Sequence, residues 1–188
     1  AIDIIRQAKK RGVNVTSEVT VHHLTLTDEA CAGYSSATRV SPPLRSWDHV
    51  QAMREAVLDG TVDCIVTDHA PHAPEEKDVE FRYAPCGFCG LETSLGVMLT
   101  DLYHTGIFDL KTIISKMSCE PAKVFHLPGG TLKEGSVADI TIMDLNKEWT
   151  VDSSKFYTRG KFTPYEGKAC KGKAVATMLH GNFVMRDG

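Results

Sequence analysis

The sequence predicts an α/β fold: a parallel sheet or barrel up to residue 130, followed by a small β domain over 131–188. Helix-like and strand-like patterns alternate from residue 1 to about 127, which is typical of parallel α/β architectures. Beyond residue 130 the apolar and polar residues alternate instead, with turn signals at Gly135 and at Gly181-Asn182. The 188 residues are 42% hydrophobic, which is enough for one sizeable core.

The first predicted helix covers residues 1–12, because Ile2, Ile5 and Ala8 form one apolar stripe and Gly12 ends the pattern. Residues 13–21 are rich in β-branched side chains and predict a short strand. The helix begins without an initiator Met or a preceding cap, so we expect the chain to start within a longer polypeptide.

A second helix and strand follow a long loop over residues 27–45, which is polar and rich in Gly, Ser and Pro. Ser46 is the predicted N-cap of a helix that ends at Gly60. Residues 62–67 form a short apolar run, typical of a strand buried on both faces of a parallel sheet. A second long loop, 69–90, leads to helical segments and then to the β segments.

Composition argues against several classes of partner. The net charge is −3 and Lys and Arg are scattered, so we expect no nucleic acid partner. Apolar runs fall far short of the roughly 20 residues that a membrane span needs, and a cytoplasmic protein is expected. The six cysteines, spread along the chain, are expected to be reduced thiols.

The motif TDHAPH, residues 67–72, is the strongest candidate for a catalytic site. Asp68 directly follows the predicted strand, and catalytic groups of α/β barrels lie at the C-terminal ends of strands. Such a carboxylate can ligate a metal and carry a proton, and His72 can reach a substrate from the loop. Alternatively, Asp68 only caps the loop and both histidines of the motif are solvated.

The motif CGFC allows two other interpretations. Together with His69 and His72, Cys86 and Cys89 could form a structural four-ligand zinc site. A C-x-x-C pair could also be a redox dithiol, but redox motifs open a helix directly behind a strand, and this one lies late in a Pro-rich loop. We therefore interpret the two cysteines as incidental.

The motif VHHL contains His22 and His23, which directly follow the predicted strand 13–21 and are interpreted as part of the same strand region. Neighbouring strand residues face opposite sides, so at most one of the two could face a site. We expect one buried and one solvated histidine. Glu18 could line a barrel mouth, but we do not expect it to be a ligand.

Taken together, these segments resemble the dihydroorotases of the amidohydrolase superfamily. SEVTVHHL is similar to the family's EVTPHHL, VSPPLR to NPPLR, TDHAPHAPEEK to TDHAPH-x-x-EEK, and APCGFCGLET to APFG-x-x-GLET. EPAKVFHLPGGTLKEGSVADITIMD and FTPYEGKACKGKAVATMLHGNFV resemble its closing segments. The resemblance covers nearly the whole chain in the expected order.

The resemblance implies the C-terminal part of a zinc-dependent amidohydrolase (β/α)8 barrel and a small β domain. The family reversibly hydrolyses dihydroorotate to N-carbamoyl-L-aspartate in pyrimidine biosynthesis. By resemblance, Asp68 ligates zinc and carries the proton, while Ser41, His72, Cys86 and Gly87 contact the substrate, the last two through their backbone. Ser41 departs from the family's Asn and is closer to the hydantoinase pattern.

The remaining metal ligands of the family lie upstream of the segments that match here. A (β/α)8 barrel takes about 250 residues, so we expect this chain alone to be inactive. We also expect it to associate, for example as a homo-oligomer, to swap elements or to be poorly soluble. Two alternatives stay open. One is a non-catalytic protein that acts as a scaffold or assembly partner. Inactive dihydroorotase homologues have this role in complexes with aspartate transcarbamoylase. The other is a hydantoinase or allantoinase.

Overall fold

The structure is a computed structural model that describes residues 1–186. The last two residues of the final predicted β segment lie outside this range. The described residues form seven α-helices and five strands. The predicted order of helix, strand, helix, strand and further helices is present, with α2 and α4 as additional short helices. The helices are α1 (Ile2–Lys10), α2 (Val21–Thr25), α3 (Trp47–Leu58), α4 (Pro74–Lys77), α5 (Ser94–Met98), α6 (Leu110–Ile114) and α7 (Glu120–Val124). The strands are β1 (Glu18–Thr20), β2 (Cys64–Val66), β3 (Ile140–Thr150), β4 (Ala169–Leu179) and β5 (Asn182–Arg186).

The first strand is shorter than predicted, and His22 and His23 lie on helix α2 instead of a strand. The prediction for these two histidines was wrong because Thr20 caps a helix: its hydroxyl accepts a hydrogen bond from the His23 N–H at 3.2 Å. His22 is buried and His23 partly exposed. One histidine is therefore buried and the other partly exposed, as expected, but the two lie on a helix and not on a strand.

Strands β1 and β2 pair in parallel, as the alternation of helices and strands predicts. The register aligns Glu18 with Cys64 and Thr20 with Val66, and α3 lies between the two strands in sequence. Ser46 is the N-cap of α3, as predicted, although within residues 1–186 its side chain makes no capping hydrogen bond. Because parallel strands share one C-terminal edge, the residues that follow β1 and β2 emerge on the same side.

The two long loops are present and carry short helical turns that the sequence did not reveal. In the loop 27–45, residues Asp28–Cys31 and Ser36–Thr38 form 3₁₀ turns. In the loop 69–90, α4 begins at Pro74, and His69 and Phe88 form an isolated parallel bridge. The start and end of this second loop are therefore held together directly behind β2.

The predicted helical segments after residue 90 are confirmed, with π-helical interruptions. Helix α5 continues into a π-helical segment over Leu99–Tyr103. A second π-helical segment, Ser115–Cys119, joins α6 to α7.

The segment after residue 130 forms an antiparallel sheet in the order β3-β4-β5. The two segments that the sequence separates, ITIMDL and EWTV, belong to one long strand that contains register shifts after Ile142 and Asp144. The predicted turn at Gly135 has a positive φ of 83°, and the hairpin turn between β4 and β5 is formed by His180 and Gly181. The bulges explain why the sequence pattern breaks within β3.

This sheet packs tightly against α5. The indole of Trp149 on β3 lies against the Cα of Gly96 and donates a hydrogen bond to the Gly172 carbonyl at 3.0 Å. Gly172 itself has a φ of 103° and lies against Leu99. One hydrophobic core runs through both regions, joining residues such as Ile65 and Met98 to Tyr165. The division of the chain at residue 130 stays a prediction.

Among the described residues, no helix is long and apolar enough to cross a lipid bilayer.

Candidate active site

An open cavity of about 900 Å³ lies against strands β1 and β2. Its wall includes Thr20 and Val66 at the ends of the two strands, Asp68 just beyond β2, and Ser41 from the first long loop. Two of the predicted site residues, Asp68 and Ser41, therefore line one cavity. Glu18 lines it as well, from the start of β1.

The Asp68 carboxylate is exposed on this wall. The backbone of Asp68 has a φ of 49°, a left-handed conformation that aspartate tolerates better than most residues. Within residues 1–186 its carboxylate makes no hydrogen bond or ion pair. The chain behind it is fixed, since Ala70 N–H donates to the Phe88 carbonyl at 3.0 Å. Asp68 is thus held at a strand end with its oxygens available to a ligand, an arrangement common at functional sites.

Pro42, the residue after Ser41, is joined to the end of β1 through His23. The His23 Nε2 atom lies 3.2 Å from the Pro42 carbonyl, and Nδ1 lies 2.7 Å from the Thr20 hydroxyl. Because a carbonyl can only accept, Nε2 carries the proton, and in the neutral ring Nδ1 accepts from the Thr20 hydroxyl. His23 also lines the cavity. The sequence pattern did not predict this role for His23, although Thr20 belongs to the residue types that favour a helix N-cap.

The other predicted substrate contacts form a separate cluster on the second long loop. His72 Nε2 donates to the Cys86 carbonyl at 3.0 Å, and Gly87 N–H donates to the Arg39 carbonyl at 2.8 Å. None of His72, Cys86 and Gly87 is among the described residues that line the cavity with Asp68. His72 instead borders a smaller depression of about 550 Å³, together with Arg159. The structure therefore brings these three residues together, but outside the lining of the Asp68 cavity.

Asp68 is the candidate metal ligand in this cavity, whose lining also includes the carboxylates of Asp3, Glu18 and Glu55. A carboxylate oxygen without protein donors fits a divalent cation such as zinc. In the part of the chain that the structure describes, no group of three or more His, Cys, Asp or Glu residues could hold a metal ion. The described residues therefore do not form a complete metal site by themselves.

The alternative zinc site of His69, His72, Cys86 and Cys89 is not assembled among residues 1–186. Cys86 is exposed, whereas Cys89 is buried, and burial raises the pKa of its thiol. His72 and His69 are each engaged elsewhere, His72 with the Cys86 carbonyl and His69 with the Leu91 N–H. All six cysteines are free thiols.

His22 is buried, and its ring lies against that of His23, with centroids 4.5 Å apart. Its ring contacts Phe88 edge-on, with centroids 4.9 Å apart, and its Nε2 has no hydrogen-bond partner within residues 1–186. Burial, and secondarily the nearby His23, lowers the pKa of His22 to about 3. His22 is therefore neutral in the folded protein across the physiological range.

This depressed pKa predicts a loss of stability in acid. Below the ordinary histidine pKa of about 6.5 the unfolded chain binds a proton that the folded protein excludes, so the free energy of unfolding falls by up to ~1.4 kcal/mol per pH unit as the pH drops toward 3. Urea unfolding of wild type and His22→Leu between about pH 7 and pH 5 measures the difference. We expect His22→Leu to be less pH-dependent and His49→Gln, at an exposed site, to behave like wild type. Identical pH dependence in wild type and His22→Leu would contradict the argument.

Comparison with known protein sequences identifies one family over nearly the whole chain. The sequence profile described as "Amidohydrolase family" matches residues 1–184. Among curated proteins, a dihydroorotase of Syntrophus aciditrophicus (strain SB) is 50% identical over 187 residues, covering 100% of this chain and 44% of that protein. A dihydroorotase of Listeria monocytogenes serotype 4a (strain HCC23) is 46% identical over 188 residues, with the same coverage. The chain thus spans less than half the length of the curated relatives that it matches.

Among solved structures, an L-hydantoinase from Arthrobacter aurescens superposes with a TM-score of 0.94 at 33% identity, covering 100% of this chain and 43% of that one. A D-hydantoinase from Bacillus sp. AR9 superposes with a TM-score of 0.92 at 26% identity, again over 100% of this chain and 43% of the other. These likenesses place the observed α/β architecture among the amidohydrolases.

Proposed function

The chain belongs to the amidohydrolase family, and on that basis we propose that it is the part of a dihydroorotase that carries the catalytic aspartate. The reaction is the reversible hydrolysis of the cyclic amide of dihydroorotate to N-carbamoyl-L-aspartate, in pyrimidine biosynthesis. Curated dihydroorotases that match over nearly the whole chain, at 45% to 51% identity, support the substrate. The observation that carries the mechanism is the exposed Asp68 carboxylate, without protein donors, on the wall of a cavity at the end of β2.

Zinc is the cofactor that we propose, with Asp68 as its ligand from this chain. When bound, zinc lowers the pKa of a coordinated water to about 7 and so supplies a nucleophile at neutral pH. The remaining ligands belong to other parts of the parent protein, since the described residues offer no group of three. The family supports a metal; its identity as zinc is our proposal.

Asp68 acts on the proton in this mechanism. As the water oxygen bonds to the ring carbonyl carbon, the Asp68 carboxylate takes the water proton. It returns that proton to the ring nitrogen as the C–N bond breaks, so that the nitrogen leaves as a neutral amide. Ser41, on the same cavity wall, is the proposed polar contact to the substrate.

His72, Cys86 and Gly87 are the proposed substrate contacts from the second loop. The Cys86 N–H has no hydrogen-bond partner within residues 1–186 and can donate to a substrate carbonyl or carboxylate. Both backbone polar groups of Gly87 are engaged, its N–H with Arg39 and its carbonyl with Lys77. In this arrangement Gly87 shapes the segment, and Cys86 offers the free donor.

The parallel pair and the family match support the architecture that we propose for the parent. Strands β1 and β2 are two neighbouring strands of a (β/α)8 barrel, and residues 131–188 form a small β domain beside it. A cytoplasmic location, homo-oligomerisation and association with aspartate transcarbamoylase stay predictions. Sedimentation of the parent protein with and without the transcarbamoylase tests the last two.

The 188-residue chain by itself is expected to be inactive. One carboxylate cannot retain zinc, which needs three or four well-placed ligands. We expect no hydrolysis of dihydroorotate by the isolated chain with or without added zinc, and no zinc retained after gel filtration, whereas the parent protein is active in the same assay. Zinc-dependent turnover by the isolated chain would contradict this.

A hydantoinase is the second candidate. Two observations favour it: the TM-score of 0.94 to the Arthrobacter aurescens L-hydantoinase and the Ser at position 41. The values of kcat/KM of the parent protein for dihydroorotate, hydantoin, dihydrouracil and allantoin separate the candidates. We expect dihydroorotate to exceed the other three by at least about 100-fold, which corresponds to roughly 2.7 kcal/mol of transition-state discrimination. A parent protein that hydrolyses none of the four would support the non-catalytic scaffold instead.

A further inference from the structure

The side chain of Lys77 is almost completely buried, although it carries an ammonium group. Its exposed fraction is 1%. Lysine is rarely buried without a compensating charge, because transfer of an ammonium from water is costly. Within residues 1–186 no carboxylate forms an ion pair with Lys77. Its burial therefore requires an explanation.

Backbone carbonyls of the second loop take the place of a carboxylate. The Nζ atom of Lys77 donates to the Gly87 carbonyl at 2.8 Å and to the Pro85 carbonyl at 3.0 Å. Both acceptors flank Cys86. The intervening Cys86 carbonyl accepts from His72 at 3.0 Å. Three consecutive carbonyls are thus each held by a side chain of the same loop.

The lysine is itself anchored from the first long loop. The Ser36 hydroxyl donates to the Lys77 carbonyl at 2.6 Å, at a buried position. From the same region, the Arg39 carbonyl accepts from Gly87 N–H at 2.8 Å. Two loops distant in sequence are therefore joined around the Cys86 segment. Burial lowers the pKa of Lys77, but these carbonyl contacts favour its charged form.

We infer that Lys77 is a positioning residue for substrate binding, which fixes the segment 85–87 so that the Cys86 N–H is presented to the ligand. The inference rests on the proposed function for the identity of the ligand. Side-chain clamps of this kind lower the entropic cost of binding, because the donor is oriented before the substrate arrives. Loss of the ammonium should therefore weaken binding more than it slows the chemical step.

The experiment compares Lys77→Met with Lys116→Met in the parent protein. Lys116 is a matched control, since its Nζ also donates to a backbone carbonyl, that of Val62 at 2.6 Å, away from this loop. For Lys77→Met we expect KM for dihydroorotate to rise about 10-fold or more while kcat changes by less than about threefold. Lys116→Met should leave KM unchanged. A folded Lys77→Met protein with wild-type KM overturns the inference.

Hydrogen exchange provides a readout that does not depend on activity. We expect the Gly87 amide to exchange faster in Lys77→Met and to keep its protection in Lys116→Met. Unchanged exchange overturns the clamp, whether or not dihydroorotate is the substrate. A wild-type parent protein that does not hydrolyse dihydroorotate overturns the proposed function instead, so the two failures are distinguishable.

Ser36→Ala is a second variant that tests the role of Lys77 if Lys77→Met does not fold. It removes only the hydroxyl that anchors the lysine backbone. The same changes, a higher KM and faster exchange of Gly87, are expected at smaller size. Absence of both in a folded Ser36→Ala protein overturns the inference.

Discussion

Substitution of Asp68 by asparagine in the parent protein is expected to lower kcat by roughly 10³-fold or more, because it removes the proton carrier and weakens a metal ligand together. Loss of a positioned general base alone costs about 10²–10⁴-fold. The folded structure should persist, since Asp68 is exposed and makes no hydrogen bond within residues 1–186. Steady-state kinetics, zinc content and thermal unfolding of the variant measure the three effects.

Glu18→Gln is the matched control for Asp68→Asn. Glu18 is an exposed carboxylate that lines the same cavity, from the start of β1 rather than from the end of β2. Its loss changes the charge of the cavity by the same amount but removes no proposed ligand. We expect kcat within about threefold of wild type. Equal losses for the two variants would mean that cavity charge, and not the position of Asp68, supports activity.

Gly87→Ala is expected to have the second largest effect. Gly87 has a φ of 120°, which L side chains rarely adopt, and an added Cβ would lie 2.5 Å from the Ala70 Cβ and 3.3 Å from His72 Nε2. The strain and the clash together should cost about 2–4 kcal/mol and displace the segment that carries Cys86. Thermal unfolding and the KM for dihydroorotate of the parent protein measure the two consequences. We expect a lower melting temperature and a KM raised by at least about 10-fold.

Gly60→Ala separates backbone strain from the clash. Gly60 has a φ of 80°, and an added Cβ there would meet no atom within 4 Å. Its substitution should cost only about 1 kcal/mol and leave KM unchanged. Equal changes in melting temperature and KM for Gly87→Ala and Gly60→Ala would contradict a role for the close approach of Ala70 and His72.

The sequence predicted the elements whose signals are local. Strand β2 was recognisable as a short apolar run, and the position of Asp68 followed because its motif continues directly from that run. Helix α3, with its boundaries at Ser46 and Gly60, was also recognisable from its apolar spacing and flanking residues. In these segments propensity, pattern and turn chemistry agree, which makes prediction reliable.

The misplacement of His22 and His23 has a physical cause. The β-branched residues before them favour a strand, but the Thr20 side chain caps a helix and ends the strand at that residue. This hydrogen bond from backbone to side chain favours the helix over a continued strand. On the short helix, His23 contacts the carbonyl of Pro42, the residue after Ser41.

The arrangement of the loops could not be predicted, because it depends on contacts between residues distant in sequence. Lys77 is part of a charged stretch, PEEK, that gives no sign of burial, yet it is enclosed between two loops. The separation of His72 from the Asp68 cavity also depends on the bridge between His69 and Phe88, which brings the two ends of the loop 69–90 together. The sequence pattern indicates that such loops are functional but does not predict their conformation.

The most direct test of the account is a zinc-soaked crystal structure of the parent protein, with anomalous scattering measured at the zinc edge. We expect a zinc peak in the cavity bordered by β1 and β2, with an Asp68 carboxylate oxygen about 2.0–2.2 Å from the metal and the other ligands contributed by residues outside this chain. Zinc bound elsewhere, or in this cavity but out of reach of Asp68, would contradict the assignment of Asp68 as ligand and proton carrier.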